Sequence, residues 1–447
     1  MPVDLASIGM TGIFAAEAEV AATESNIANA SNPNYSAESV NLAALAGPDG
    51  AGSGVAVLGT QRSQAPFLDG EINSQSSTQS YNQAFTQIGT LAQNLIAPTG
   101  GNDLGQAFQN MMNAFTKLAA APQQTTLRSA AISAASSFAS TTQTLSAGLQ
   151  HSATDALSQI GTLVSQVNTL SSQIASLNSQ IRATQSGSAA ALLDQRDGLV
   201  GQLANLIGAT TDSNGDVNVA GVPLVSGTQA LTVETTGTGT NVGLAVVLPH
   251  GTLPMQTTQV GGTIGGTFAS AESISQLQTS VNQYANSVAT AINRIYQNGY
   301  GLDGSTGNQL FAVSNSGGPI SINSAVTPQN FAAASTAAGV PGDGSNASAM
   351  AALASTVGVD SSFPDSNSLQ AFTAIQSQFG SSLQTAQTDQ QQASSTLQSL
   401  QQLKSSITGV SLNDQLTKLI QYQNALEAAG RAVQAANDIT TFLVQQL

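Results

Sequence analysis

Residues 160–181 read IGTLVSQVNTLSSQIASLNSQI. Apolar side chains fall at Ile160, Leu163, Val167, Leu170, Ile174, Leu177 and Ile181, in alternating steps of 3 and 4. A helical backbone lines such positions up as one narrow stripe, the heptad seam of a long helix. Leu149, Ala153 and Ala156 extend it upstream. The same rhythm returns at Ile274, Leu277, Val281, Tyr284, Val288, Ala291 and Ile295, and again at Leu383, Ala386, Gln390, Ala393, Leu397 and Leu400. A seam this narrow must pack on another helix, so the spacing predicts a discontinuous bundle of long helices. The remaining faces carry Ser, Thr, Gln and Asn, which leaves few charges to repel or select neighbours.

Between Gly208 and Thr267 the pattern changes to Gly, Val and Thr. The turn Ser213-Asn214-Gly215-Asp216 precedes Val217, Val219 and Val222, a hairpin signal. Leu231-Thr232-Val233 and Val242 to Leu248 read as further strands. Gly47-Pro48-Asp49-Gly50 marks a turn, and Gly54 to Leu58 reads as a short strand. The fold expected is mainly α, with helices at both termini and a small inserted β domain.

The chain divides, on this reading, into a terminal helix and turn (1–42), a helical bundle in three parts (43–207, 270–300 and 366–408), a β insertion (208–269), an irregular loop or small lobe (301–365) and a closing helix (409–447). The opening helix, over 3–29, carries Val3, Leu5, Ile8, Ile13, Val20 and Ile27. The closing helix starts near Ser411 and carries Leu412, Leu416, Leu419, Leu426, Val433 and Val444. Each is thinly hydrophobic and marginal alone in water. Such ends order on contact with each other and with neighbours.

Composition narrows the function. The 447 residues hold 9 Lys and Arg against 24 Asp and Glu, a net charge of −15, and charged residues are only 7% of the chain. Nucleic acid needs clustered cations, and so does an anionic membrane surface. With 0 Cys there is no disulfide, thiolate nucleophile or Cys-ligated metal. Val242 to Leu248, the longest unbroken stretch of Val, Leu, Ala and Gly, is too short to span a bilayer. The first basic residue is Arg62, so no secretory n-region is expected. These features predict a soluble chain, either intracellular or exported with its N-terminus uncut.

No enzyme signature emerges. His151 and His250 are far apart, and neither opens an H-E-x-x-H helix. His151 reads as a surface residue near a polar helix start. There is no G-x-S-x-G elbow. Asp212, Asn214 and Asp216 imitate the start of a calcium loop, but the glycine is displaced to Gly215 and no closing Glu follows. The run from Gly261 to Gly266 lacks the Lys of a phosphate loop and reads as a flexible return to the next helix. No catalytic, metal or cofactor residue is assigned. Asp194-Gln195-Arg196-Asp197 is the densest charge in the chain. It reads either as a local ion pair or as a contact through Asp194, Arg196 and Asp197 that fixes how helices or subunits meet. In the second reading Arg196→Ala loosens that junction.

Ser25-Asn26-Ile27-Ala28-Asn29-Ala30, followed by Asn32-Pro33-Asn34-Tyr35, resembles the N-terminal signature of bacterial flagellar rod, hook and hook-associated proteins. Asn34 stands where that signature usually has Gly, a mild change because Asn tolerates a left-handed backbone. Gly409-Val410-Ser411-Leu412-Asn413, Leu419 to Gln423 and Ala435 to Ile439 resemble the closing helix of the same group. The middle is more specific. Leu192 to Val200, with Phe115, Leu118, Pro122 and Arg128, resembles the FlgK family, the first hook-associated proteins.

The resemblance implies a structural role, not an enzymatic one. In that family subunits form a ring between hook and filament, outside the cell. The termini pair as coiled coil in the inner tube, and inserted β domains face outward. Subunits leave through the flagellar type III channel without a cleaved signal, guided by a chaperone at the C-terminal helix. The implied partners are further copies of the chain, the hook protein and the second hook–filament junction protein; nucleic acid and membrane insertion are not implied. The implied assembly residues are Leu5, Ile8, Ile13, Val20, Asn26, Ile27, Asn29, Tyr35, Leu412, Leu416, Leu419, Leu426, Val433 and Val444. Asn26, Asn29 and Tyr35 are expected to hold the turn after the first helix. The rival readings are a hook subunit, the second junction protein, or a secreted adhesin or hydrolase using the same export route.

Overall fold

Small, uncharged side chains let helices run long and approach closely, and the chain uses both freedoms. The structure is a computed structural model that describes residues 5–32, 34–46, 52–101, 103–184, 189–212, 214–313 and 317–446. The Gly47 to Gly50 turn lies outside the described residues, as do Val3, Pro33 and Ser213.

Helix α1 (Leu5–Ala28) leads into an antiparallel hairpin, β1 (Glu38–Ala46) and β2 (Gly52–Arg62), with Glu38 opposite Arg62. The strand expected over Gly54 to Leu58 is thus half of a longer ribbon, and the 42/43 division falls inside β1. Then come α2 (Pro66–Ile96), α3 (Leu104–Ala120), α4 (Thr125–Ser158), α5 (Ile160–Ala183) and α6 (Ala190–Ile207). Pro66 suits the first turn of α2, where its missing N–H costs nothing. Two small sheets follow. One orders β3 (Thr210–Thr211), β4 (Val217–Val219), β5 (Val222–Ser226) and β6 (Gln229–Ala230). The other orders β7 (Thr232–Thr236), β8 (Gly243–Leu248) and β9 (Gly251–Met255). The chain continues through α7 (Gly262–Tyr296), β10 (Phe311–Ala312), β11 (Ser321–Ile322), α8 (Ser345–Ala351), α9 (Ser368–Thr408) and α10 (Leu412–Gln445). The mainly α reading with a small β insertion holds.

The bundle centres on α7, whose seam residues Ile274, Leu277, Val281, Tyr284 and Val288 are buried. It packs against α2 and α4, and α9 packs against α2. The α5 seam behaves differently from expectation. Ile160, Val167, Ile174 and Leu177 are buried, but α6 and the strands β5, β6 and β7 share the covering. Asn168 Nδ2 donates to Val233 O at 2.8 Å, and Val233 N donates to Asn168 Oδ1 at 2.8 Å, the pairing a neighbouring strand would make. An apolar stripe is indifferent to whether a helix or a sheet removes it from water.

The glycines at 261–266 are not a flexible return. Gly262 sits at φ 61°, its N–H donates to Ser77 Oγ at 2.9 Å, and it opens α7. A Cβ on Gly265 or Gly266 would collide with Val260 O or Tyr81 O. These residues are glycine because backbone meets backbone there.

The 301–365 segment is irregular in secondary structure yet tightly packed. Phe311 and Phe331 are fully buried; Phe331 lies 5.2 Å from the Tyr296 ring and 6.2 Å from Phe115, centroid to centroid. The Arg128 guanidinium pins it, with Nε donating to Pro122 O at 2.6 Å and Nη1 donating to Phe331 O and Pro328 O. So Phe115, Pro122 and Arg128, part of one sequence pattern, serve one junction. The turn acids are similarly occupied: Asp212 Oδ1 accepts from Asn214 N and Asp216 N, both at 2.9 Å. His151 lies inside α4, not at a helix start, and is exposed. Among the described residues no acid, His or Cys cluster suits a metal ion, and no helix is long and apolar enough to cross a membrane.

Candidate assembly site

The terminal helices form an antiparallel arm. Gly9 faces Val433, Gly12 faces Ala429, and Asn26 meets Gln415. On α10 the inner positions are Gln415, Leu419, Tyr422, Leu426, Ala429, Val433 and Ala436, all buried or half-buried, in steps of 4 and 3. On α1, Gly9, Ala16, Thr23 and Asn26 are buried. Gly9 has no room for a side chain: a Cβ there would stand 2.5 Å from Val433 Cγ2. Small residues on one helix thus admit large ones on the other.

Four of the expected α1 positions, Ile8, Ile13, Val20 and Ile27, are half-buried. Leu419, Leu426 and Val433 lie on the inner seam. Leu412 and Leu416 do not: each is 50% exposed on the outer face of α10, with Ile420, Ile439 and Phe442. Leu5 and Val444 fall within the helix bounds, but their side chains lie outside the described residues. Sequence reasoning missed Gln415, Tyr422, Ala429 and Ala436. Their heptad spacing was visible, but a glutamine, a tyrosine and two alanines do not announce a seam.

At the foot of the arm, Asn26 is buried with its amide fully engaged. Its Nδ2 donates to Glu38 O at 2.8 Å and to Gln415 Oε1 at 3.2 Å. Its Oδ1 accepts from Glu38 N and from Tyr35 Oη, both at 2.8 Å. Tyr35 Oη also lies 3.2 Å from Ser25 Oγ, and Asn29 Nδ2 donates to Ser25 O at 3.0 Å. One amide therefore ties together the end of α1, the following turn, the start of β1 and the start of α10.

Asp194, Arg196 and Asp197 lie beside this foot, on α6. The arginine that bridges the two acids is Arg62, at the end of β2, rather than Arg196. Arg62 Nη1 reaches Asp194 Oδ1 at 2.7 Å and Nη2 reaches Asp197 Oδ2 at 2.6 Å. Asp194 Oδ2 also accepts from Ser36 N at 3.2 Å. Among the described residues Arg196 forms its ion pair with its neighbour Asp197, at 3.0 Å, and its Nη1 extends toward Gly215 in the β3–β4 turn. Burial, reinforced by the Asp194 charge, raises the Glu38 carboxyl above its ordinary range. Arg62 was legible as the lone cation before Lys117. Its partners were not.

Residues 90–311 match the family described as the flagellar hook-associated protein FlgK helical domain. Residues 90–311 are thus a FlgK-type helical domain. The matched region spans α3 to α7 with the β insertion and holds the Asp194 to Asp197 run. A solved structure of the flagellar hook junction protein FlgK from Burkholderia pseudomallei is also similar, at 27% identity and a TM-score of 0.49. That match covers 56% of this chain and 47% of the Burkholderia protein, so the two correspond over about half of each. No curated protein sequence matches this chain.

Proposed function

We propose that this chain is a structural subunit of the bacterial flagellum at the junction between hook and filament, and that its arm is the polymerising element. The observation that carries this reading is the unused face of the arm. Within one chain, α1 and α10 consume one seam on each other. Leu412, Leu416, Ile420, Ile439 and Phe442 on α10 remain exposed, as do Met10 and Phe14 on α1. Apolar side chains repeated along one arm favour a neighbouring copy as their cover. Leu412 and Leu416 then act between subunits, while Leu419, Leu426 and Val433 act within one.

The partners in this reading are further copies of the chain, the hook protein and the second junction protein. The subunit reaches the cell exterior through the flagellar type III channel without signal cleavage, escorted by a chaperone on α10. Low charge supports close subunit packing, because few ions need desolvating. Immunogold electron microscopy of detached flagella, with antibody against residues 212–260, tests the reading. A band of gold at the hook–filament boundary is expected. Gold along the whole hook makes the chain a hook subunit, and gold on no axial structure overturns the flagellar role.

A further inference from the structure

Among the described residues, no bundle helix packs along α1 or α10; the arm meets the bundle at the base of the hairpin. Backbone and side-chain hydrogen bonds tie the two together there. Ala37 N donates to Thr408 O at 2.8 Å, and Ser63 Oγ donates to Ile407 O at 3.2 Å. A further tie is ionic, between Arg62 on β2 and the two acids on α6.

We propose that Arg62, Asp194 and Asp197 form a latch that sets the angle of the arm on the bundle. Arg62 spends one terminal nitrogen on each carboxylate, so it resists rotation as well as separation. The Arg62 and Asp194 side chains are only 10% and 9% exposed, which weakens screening by water and salt. Asp194 adds the Ser36 backbone, so the latch grips both ends of the hairpin: Ser36 just before β1 and Arg62 at the end of β2. Arg196 and Asp197 extend the same network toward the β insertion.

Leverage makes the latch matter. Helix α10 has 34 residues, a rise of about 50 Å. A 10° swing at its foot moves its tip by roughly 9 Å over that length, about one helix diameter and enough to miss a neighbour's seam. Arg62 is therefore a positioning residue for the arm. The consequence for polymerisation rests on the function proposed above, but the latch itself is a property of one chain.

The absence of cysteine permits a clean test. Gln150 on α4 and Gln434 on α10, both exposed, are replaced by Cys in the full chain and spin-labelled. Pulsed electron paramagnetic resonance then reads the distance between arm and bundle in the monomer. A narrow distribution is expected with Arg62 present. Arg62→Ala should make it roughly twofold broader, because closing the joint then buries Asp194 without its cation. Asp197→Asn, which leaves the Arg62–Asp194 bond, should broaden it less. Helix content and the melting of the bundle should stay unchanged in both. An Arg62→Ala distribution as narrow as the parent overturns the latch, as does broadening only in step with loss of bundle helicity. If Arg62→Ala fails to fold, the Asp197→Asn distribution decides alone. Broadening without gold on the flagellum keeps the latch and overturns only the flagellar reading.

Discussion

Asn26 and Gln415 are 389 residues apart and meet at 3.2 Å, the amide of one donating to the amide of the other. This contact closes the foot of the arm, where the two chain ends, the hairpin and the bundle converge. Because Asn26 also serves Glu38 and Tyr35, its loss is felt by several groups at once.

Asn26→Ala strands the backbone N–H of Glu38 and the Gln415 side chain, and leaves Tyr35 Oη only Ser25 Oγ. Leaving buried polar groups unpaired costs about 1–3 kcal/mol each, so the arm should open while the bundle stays folded. Hydrogen exchange should accelerate in residues 5–28 and 412–436 and stay unchanged in α7. Asn26→Asp, which keeps the acceptor but loses the donor, should fall between the two.

Gly9 and Val433 give a second handle on the arm. Gly9→Val inserts bulk where even one carbon meets Val433 Cγ2, and overpacking of this kind costs about 1–3 kcal/mol. Val433→Ala in the same chain should restore most of it. Chemical denaturation followed by a probe on α10 measures the loss and the rescue. Equal effects with and without Val433→Ala would show that the two residues do not share one space.

Arg128 is 1% exposed and bound to three carbonyls. Arg128→Met removes the donors that join the start of α4 to residues 328–331. A loss of about 3 kcal/mol is expected, the order seen when one side of a buried charged network is deleted. Limited proteolysis should then cut within 301–335 first. Arg128→Lys should not rescue, because one ammonium cannot reproduce the planar fork.

Burial pushes the Tyr296 hydroxyl up to about 12 and the Tyr284 hydroxyl well above its ordinary value. Because folding raises these values, the neutral phenols stabilise the fold fully below pH 10. That stability is lost as pH rises toward the folded values. Tyr296 alone accounts for about 3 kcal/mol of that loss. Urea midpoints should therefore fall between pH 10 and 12, and Tyr296→Phe should flatten the fall.

The long helices were legible because helical periodicity is local: seven residues suffice to show it. The Gly208 boundary was legible for the same reason, since strand alternation replaces helical steps there. Less legible was what each stripe touches. The α5 seam specified a cover but not a helix, and small sheets supply much of it. Gly265 and Gly266 looked like slack because sequence shows a missing side chain without showing the backbone that occupies its place.

Charge was the least legible of all. The Asp194 to Asp197 run read equally as a local ion pair and as a contact between helices, and the arginine that bridges its two acids comes from residue 62. In a chain with so few cations, each one is conspicuous in sequence while its partner is a matter of three-dimensional neighbourhood.

By itself, the sequence determined the helical class, the seams, the two chain ends suited to pairing and the family resemblance, because each is written in residue types at short or fixed spacing. Only the tertiary structure decided that Leu412 and Leu416 face outward, that Arg62 closes on Asp194 and Asp197, and that Arg128 holds the 301–335 lobe. Those outcomes depend on which distant surfaces compete for one face. Periodicity along a chain says that a face will be buried or an ion paired, but only packing selects by what.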